Sequence, residues 1–285
     1  MFTIYMKDTI VPDPEKLEKI KKAIAAQDSD NFHVLADFDG TFTKAFAEGK
    51  KIQKSVAQVR NGNYLSPEYV AKAHALFEIY HPIEISDVLS RKEKAEKMQE
   101  WWIAHLLLLK EHGFKKQVAE DIAAKKSMLF RQGALEFIDL LHEKNIPLVI
   151  MSAGLGDVFK ERLAAEGRLY HNVYLISNFF EFDGTGRAIS IPEPIIHSMN
   201  KHETAIRDFP SFEAIKDRKN VLLMGDLVED VGMVEGFGYD NLIKIGFLNE
   251  KIDENMQKFK ENFDVIIPDD GEMNYVHALV KELFG

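Results

Sequence analysis

Asn31-Phe32-His33-Val34-Leu35-Ala36-Asp37-Phe38-Asp39-Gly40-Thr41 runs from a short apolar stretch into two aspartates two positions apart and an Asp-Gly pair. Side chains alternate faces in an extended segment, so Asp37 and Asp39 point the same way from the end of a strand. Five further apolar runs, at 146–151, 173–176, 221–224, 242–245 and 265–267, read as buried strands. Helical patterns occupy 133–144, 157–166, 201–208, 229–236 and 250–260. This β/α alternation predicts an α/β fold with a parallel sheet flanked by helices on both faces. In such a sheet ligands bind at the carboxyl ends of the strands.

The rhythm breaks at 44–127. Helical patterns at 67–79, 86–110 and 115–126 fill this segment, with almost no strand-like run. We therefore expect an α-helical cap at 44–127, inserted after the first strand, on a core formed by 1–43 and 128–285. No internal repeat or low-complexity segment interrupts this plan.

Composition narrows the function. The 36 basic against 46 acidic residues leave a net charge of −10 without a long basic block, which argues against a nucleic-acid polymer as partner. A small phosphate ester fits if a cation and a placed lysine offset the field of the protein. There is no cysteine, so disulfide and thiol chemistry are excluded. The longest apolar run, Leu106 to Leu109 after Trp101-Trp102-Ile103, is too short to cross a bilayer, and Lys7 and Asp8 interrupt the start of the chain where a signal peptide would need an apolar stretch. A soluble, cytoplasmic protein without membrane association is expected; protein partners are left open.

Four segments carry chemistry in chain order. In the first, Asp37 is suited to attack phosphorus and form an aspartyl-phosphate, while Asp39 protonates the leaving group and later activates water. Gly40 permits close backbone approach and Thr41 supplies a hydroxyl, although Asp-Gly is also a common turn dipeptide. Ser152-Ala153-Gly154, after the second run, offers a hydroxyl and loop amides for phosphate oxygens, as do many strand-to-helix turns. Lys201 lies between the second and fourth segments, where one ammonium would stabilise phosphoryl oxygens. In Gly225-Asp226-Leu227-Val228-Glu229-Asp230, two aspartates four apart share one side of a first helical turn. Clustered carboxylates repel unless a cation intervenes, and hard oxygen ligands favour Mg²⁺, held by Asp37, the Asp39 carbonyl and Asp226, with Asp230 direct or one layer behind. Glu229 fits an acidic helix start better than a ligand. The ten histidines lack metal-binding spacing, and His197 and His202 beside Lys201 are assigned no chemistry. Trp101, Trp102 and His105 have the helical spacing of core residues, or of a surface that stacks on a base.

In this order the four segments resemble the haloacid dehalogenase (HAD) phosphohydrolase superfamily. His81-Pro82-Ile83-Glu84-Ile85 with Glu100-Trp101-Trp102, the stretch 145–159, Ile195 to His202 and Leu242 to Asn249 are similar to the pyrimidine 5'-nucleotidase family, the group of cytosolic 5'-nucleotidase III. The resemblance implies a Rossmann-like HAD core with a helical cap and Mg²⁺-dependent hydrolysis of nucleoside 5'-monophosphates, pyrimidine ones such as CMP or UMP first. It makes Asp37 the nucleophile, Asp39 the acid/base, Ser152 and Lys201 phosphate holders, Asp226 and Asp230 the metal side, and Glu84 a reader of the base. The chain departs from that family at Leu227-Val228-Glu229, where Ser-x-Gly is usual, and at Arg131-Gln132-Gly133, where Arg-Asp-Gly is common. The alternatives are a phosphatase of the same fold acting on 7-methyl-GMP, phosphoserine or a sugar phosphate, and a nucleotide-binding module with a disabled site.

Overall fold

The computed structural model describes residues 9–86, 88–201, 209 and 211–285. Its centre is a six-stranded sheet of β1 (Phe32–Ala36), β4 (Leu148–Leu155), β5 (Val173–Asn178), β8 (Asn220–Gly225), β9 (Asn241–Leu248) and β10 (Val265–Pro268). The spatial order is β10-β9-β8-β1-β4-β5, and every pairing is parallel. All six strands lie on the six apolar runs of the sequence.

The runs are continuous because both faces of the sheet are covered. Val34, Ala36, Leu148, Ile150, Leu222 and Met224 enter one buried cluster, with Phe137 of α6 (Ala134–Glu143), Phe159 of α7 (Gly156–Ala165) and Leu279 of the helix Asn274–Phe284. Their neighbours Leu35, Val149, Met151, Val221 and Leu223 point into a second, with Ile215 and with Phe259 of the helix Ile252–Asn262. At about 1.5–3 kcal/mol per buried aliphatic side chain, these two layers dominate the stability of the fold.

Between β1 and β4 lie α2 (Ser55–Asn61), α3 (Pro67–Glu84), α4 (Arg91–Glu111) and α5 (Lys116–Ala124). α4 begins five residues later than the periodicity from 86 suggests. Ser90 and Glu93 form a reciprocal capping box there, which sets the start. The inserted segment also contains a two-stranded hairpin, β2 (Phe46–Ala47) with β3 (Lys50–Lys51), too short to leave an alternating pattern. A second small hairpin pairs β6 (Glu181–Phe182) with β7 (Ala188–Ser190). The helix expected over 229–236 is instead a 3₁₀ segment, Val228–Val234: Asp230 accepts the amides of Asp226 and Leu227 and tightens the turn. The helical pattern at 201–208 falls, from 202 onward, outside the described residues. Among the described residues no helix is long and apolar enough to cross a membrane.

Two histidines are buried in this frame. His33 in β1 packs edge-on to Phe237, and burial pushes it down to about 3. His105 in α4 shares a 3.2 Å hydrogen bond with the Tyr69 hydroxyl, and burial pushes it down to about 4. Both are neutral when folded, whereas unfolding lets them take protons near 6.5, so stability present above pH 6.5 is lost as pH falls from there toward 4. At pH 5 each costs about 2 kcal/mol relative to pH 8. Thermal melts at both pH values should show a smaller loss in the His33→Gln/His105→Gln double variant than in the wild type; equal losses would refute the assignment.

Candidate active site

β1 lies between β4 and β8, so the chain leaves β1 toward one side of the sheet and returns on the other, which opens a crevice at the carboxyl ends of these three strands. Asp37 is the first residue past β1, and its amide donates to the Met224 carbonyl of β8 at 3.0 Å. Gly40 adopts φ +85°, and a Cβ there would lie 2.3 Å from Asp226 Oδ2. A side chain at Gly40 would therefore separate the first segment from the fourth.

Ser152-Ala153-Gly154 is not beyond β4 but inside it, where the register to β5 shifts between Met151 and Leu155. The irregularity turns the segment away from regular pairing. A Cβ on Gly154 would meet Ser55 Oγ at 2.5 Å, Ser152 Oγ at 3.2 Å and Asp39 Oδ2 at 3.5 Å, so three oxygen-bearing side chains converge on this bare position. The Gly154 amide donates to Ser152 Oγ at 3.1 Å, and the Leu155 amide to Ser55 Oγ at 3.0 Å.

Lys201 Nζ donates to Asp37 Oδ1 and, at 3.3 Å, to Asp230 Oδ1. Asp230 is buried, and its other oxygen, Oδ2, takes the amides of Asp226 and Leu227 at 3.1 and 3.0 Å. Oxygens of Asp37, Asp226 and Asp230 come within 4.8 Å of one another. Asp226 Oδ1 is buried and has no hydrogen-bond partner among the described residues.

The charge balance follows from this crowding. Burial pushes the Asp37 carboxyl up to about 8; Lys201 opposes the rise, and Asp230 and Asp226 add to it. Burial also raises Asp39, with Lys54 and Lys201 opposing, and lifts Asp226 to about 6, with Lys54 opposing. Burial works against the Lys201 ammonium, but Asp230 and Asp37 outweigh it and hold it protonated. Two like charges about 4 Å apart repel by roughly 4 kcal/mol at an effective dielectric of about 20. Two lysines, Lys201 and the half-exposed Lys54, against the carboxylates of Asp37, Asp39, Asp226 and Asp230 leave that repulsion partly uncompensated, and a divalent cation would relieve it. The donor set is all oxygen and one donor is orphaned, so Asp37 and Asp226 fit a hard cation such as Mg²⁺.

The other expected residues are placed less directly. The Thr41 hydroxyl is buried without a hydrogen-bond partner among the described residues, while Thr43 Oγ1 takes the Gly40 amide at 3.0 Å and Thr43 lines a cleft with Asp39, Lys54 and Asp226. Glu84, the last residue of α3, accepts the Ser198 hydroxyl on Oε1 at 2.9 Å. Glu229 is exposed. Trp102 packs at the edge of the core, and Trp101 stacks on Tyr80.

Several residues at the site escaped the motif reading. Lys54, at the start of α2, extends a half-exposed side chain to 3.9 Å from Asp226 Oδ2. Ser55 follows it into the Gly154 cradle. Asn178 donates to the carbonyls of Ala153 (3.0 Å) and Ile196 (2.8 Å) and accepts the Ile196 amide (2.8 Å), tying the segment that leads to Lys201 onto β4. Arg131 and Asn249 both bond the Gly40 carbonyl. Lys54, Ser55 and Asn178 follow no spacing rule in the sequence, and Arg131 and Asn249 stand in stretches whose only signal is their likeness to the family.

A sheet with carboxylates at its central strand ends, a lysine bridging two of them and helices inserted after the first is the architecture of HAD phosphohydrolases, a class defined by fold and site together. The family model for pyrimidine 5'-nucleotidase (UMPH-1) matches residues 40–284, and the chain belongs to that family. The 7-methylguanosine phosphate-specific 5'-nucleotidase of Homo sapiens is 31% identical over 283 residues, covering 99% of this chain and 94% of its own. The crystal structure of cytosolic 5'-nucleotidase IIIB bound to cytidine superposes with a TM-score of 0.91 at 28% identity, covering 98% of this chain and 95% of the other. A phospho-aspartyl intermediate analogue of phosphoserine phosphatase shares the fold alone, with a TM-score of 0.50 at 16% identity over 85% of this chain and 95% of the other. The protein is a 5'-nucleotidase of HAD type, a phosphoric monoester hydrolase.

Proposed function

We propose that the enzyme hydrolyses nucleoside 5'-monophosphates through a phospho-aspartate on Asp37 with Mg²⁺ bound, and that it favours a base offering an N–H to a carboxylate: cytosine among pyrimidines, or 7-methylguanine. The observation that carries this reading is Lys201 bridging Asp37 and Asp230 while Asp226 Oδ1 is buried without a hydrogen-bond partner among the described residues. Asp37 and Asp226, with the Asp39 carbonyl, would hold the ion, which supplies charge neutralisation at the phosphoryl oxygens. Asp230 stands behind them, because amides and Lys201 occupy its oxygens.

In the first half-reaction an Asp37 oxygen bonds to phosphorus and the bond to the nucleoside 5'-oxygen breaks. Asp39, whose burial favours the protonated form, gives its proton to that oxygen. Lys201 and the Ser152–Gly154 segment hold the phosphoryl oxygens. Asp39 then takes a proton from water as the water attacks phosphorus, and phosphate leaves Asp37. The helices of 44–127 act as a cap on the core of 1–43 and 128–285, excluding bulk water and presenting Glu84 to the base. The preference for an amino-bearing base is supported by Glu84 being an acceptor-only group when ionised and by the specificity named for the human relative. A cytosolic setting is supported by the name of the IIIB relative.

Phosphate release from the purified protein, measured with and without Mg²⁺ on CMP, UMP, dCMP, AMP, 7-methyl-GMP and phosphoserine, tests this directly. Mg²⁺-dependent turnover should favour CMP or 7-methyl-GMP over UMP by roughly tenfold, the value of one charged hydrogen bond. Equal rates on phosphoserine and nucleotides would leave a generic phosphatase in its place.

A further inference from the structure

α3 carries Pro82 in its last turn and ends at Glu84, where the Ile85 amide caps it by donating to the His81 carbonyl at 3.2 Å. The Glu84 carboxylate meets a hydroxyl from the core: Ser198 Oγ donates to Glu84 Oε1 at 2.9 Å. Ser198 sits in the segment that leads to Lys201. That segment is stiffened from within by His197 N–H to Asn200 Oδ1 at 2.7 Å and Asn200 Nδ2 to the Ile195 carbonyl at 2.7 Å. It is stapled to β4 by Asn178, through the Ala153 and Ile196 carbonyls. A rigid element of the phosphate end therefore grips one oxygen of the cap's acid.

From this contact we infer that Ser198 is a positioning residue for base selection: its hydroxyl bonds Oε1 and fixes the plane of the Glu84 carboxylate, so that the remaining lone pairs of the two oxygens meet the N–H groups of the base in one orientation. The inference rests on the reading of Glu84 given above and deepens it. A carboxylate fixed in this way rewards an exocyclic amine, as in cytosine, or the adjacent N–H groups of 7-methylguanine. It penalises uracil, whose only ring N–H is flanked by two carbonyl oxygens that repel the carboxylate. A carboxylate free to turn would lose part of this discrimination, because orienting it on binding costs side-chain entropy. Ser198 touches neither phosphorus nor the leaving oxygen in this account, so its effect belongs in KM and not in kcat.

The test compares wild type, Ser198→Ala, Ser198→Thr and Glu84→Gln on CMP, UMP and p-nitrophenyl phosphate, which has no base. Ser198→Ala should raise KM for CMP by roughly tenfold, with kcat and the UMP and p-nitrophenyl phosphate constants unchanged, and Ser198→Thr, which keeps the hydroxyl, should restore the wild-type KM. Glu84→Gln should abolish the CMP preference. If Glu84→Gln does so while Ser198→Ala leaves the preference intact, the Ser198 inference is overturned and the Glu84 reading survives. If Glu84→Gln leaves the preference unchanged, the Glu84 reading falls and takes the inference with it. A uniform drop in kcat on all three substrates in Ser198→Ala would also overturn the inference, assigning Ser198 to support of the Lys201 segment.

Discussion

Asp37→Asn should lower phosphate release by on the order of 10⁴ or more while leaving a folded protein, because it removes the attacking oxygen and little else. Asp37 is 3% exposed, its backbone is anchored to β8, and one of its oxygens already meets the only described lysine that bridges two of the site's acids. Asparagine keeps the shape and the carbonyl acceptor for Lys201 but lacks the nucleophilicity and the charge. Asp39→Asn should behave differently: the nucleophile survives, and what is lost is proton transfer, worth about 10² to 10⁴. Rapid-quench experiments with ³²P-labelled substrate separate the two, with acid-stable label on the Asp39→Asn protein and none on Asp37→Asn. Asp37→Asn turnover within tenfold of wild type, on protein with an unchanged melting temperature, would refute covalent catalysis at this residue.

The parts of the fold read correctly from sequence are those with redundancy. The six strands are legible because burial on both faces makes every residue of a strand apolar, a signal that survives errors of a residue or two at the ends. The inserted helices were visible as a break in a rhythm. α1 (Pro14–Ala25) lies outside the expected elements although Asp13 caps it, Pro14 opens it and Leu17, Lys21 and Ile24 line its buried face. The 3₁₀ turn after β8 departs from the expected helix because acidic residues at a helix start favour the dipole of any helix, and only the folded geometry shows the Asp230 carboxylate gathering two amides and shortening the turn. Within the site, Asp37, Asp39, Asp226 and Asp230 stand in short segments at strand ends, where position in the sequence implies position in space, whereas Ser152 lies inside β4 and Lys201 in an irregular segment after β7, and these two are legible from motif order and family resemblance. Lys54, Ser55 and Asn178 reach the site from elements whose approach is set by tertiary packing, and no local pattern marks them.

Arg131, marked in the sequence only by the Arg131-Gln132-Gly133 likeness and given no role there, also reaches the site through tertiary packing, and its removal should have the largest effect on stability. Its side chain is 0% exposed. Nε donates to the Thr41 carbonyl at 3.0 Å, Nη2 to the Gly40 carbonyl at 2.6 Å and to Asn249 Oδ1 at 3.0 Å, and Nη1 to the Gly271 carbonyl, with Asp270 3.3 Å away. The guanidinium lies 4.4 Å from the centre of the Phe247 ring. Burial pushes it down to about 10, with Asp270 and Asp226 opposing, so it remains charged at neutral pH. One planar fork thus joins the loop after Asp39 to the ends of β9 and β10, which is work for a guanidinium and not for an ammonium. In Arg131→Met the volume is largely kept, but the Thr41 and Gly271 carbonyls lose their side-chain donor. The Gly40 carbonyl keeps only Asn249, and Asp270 keeps only the amides of Ala45 and Phe46. Removing one partner from a buried charged network costs about 3–5 kcal/mol, which for a chain of this size lowers the melting temperature by on the order of 10 °C. Arg131→Lys should recover little of it, since a single ammonium cannot span carbonyls on two sides of the loop. Thermal and denaturant unfolding of both variants checks the argument, and a loss below about 1 kcal/mol in Arg131→Met would contradict it. Turnover should fall as well, because the same carbonyls hold the loop on which Gly40 meets Asp226, and a displacement of about 1 Å there is enough to cost roughly 10²-fold in rate.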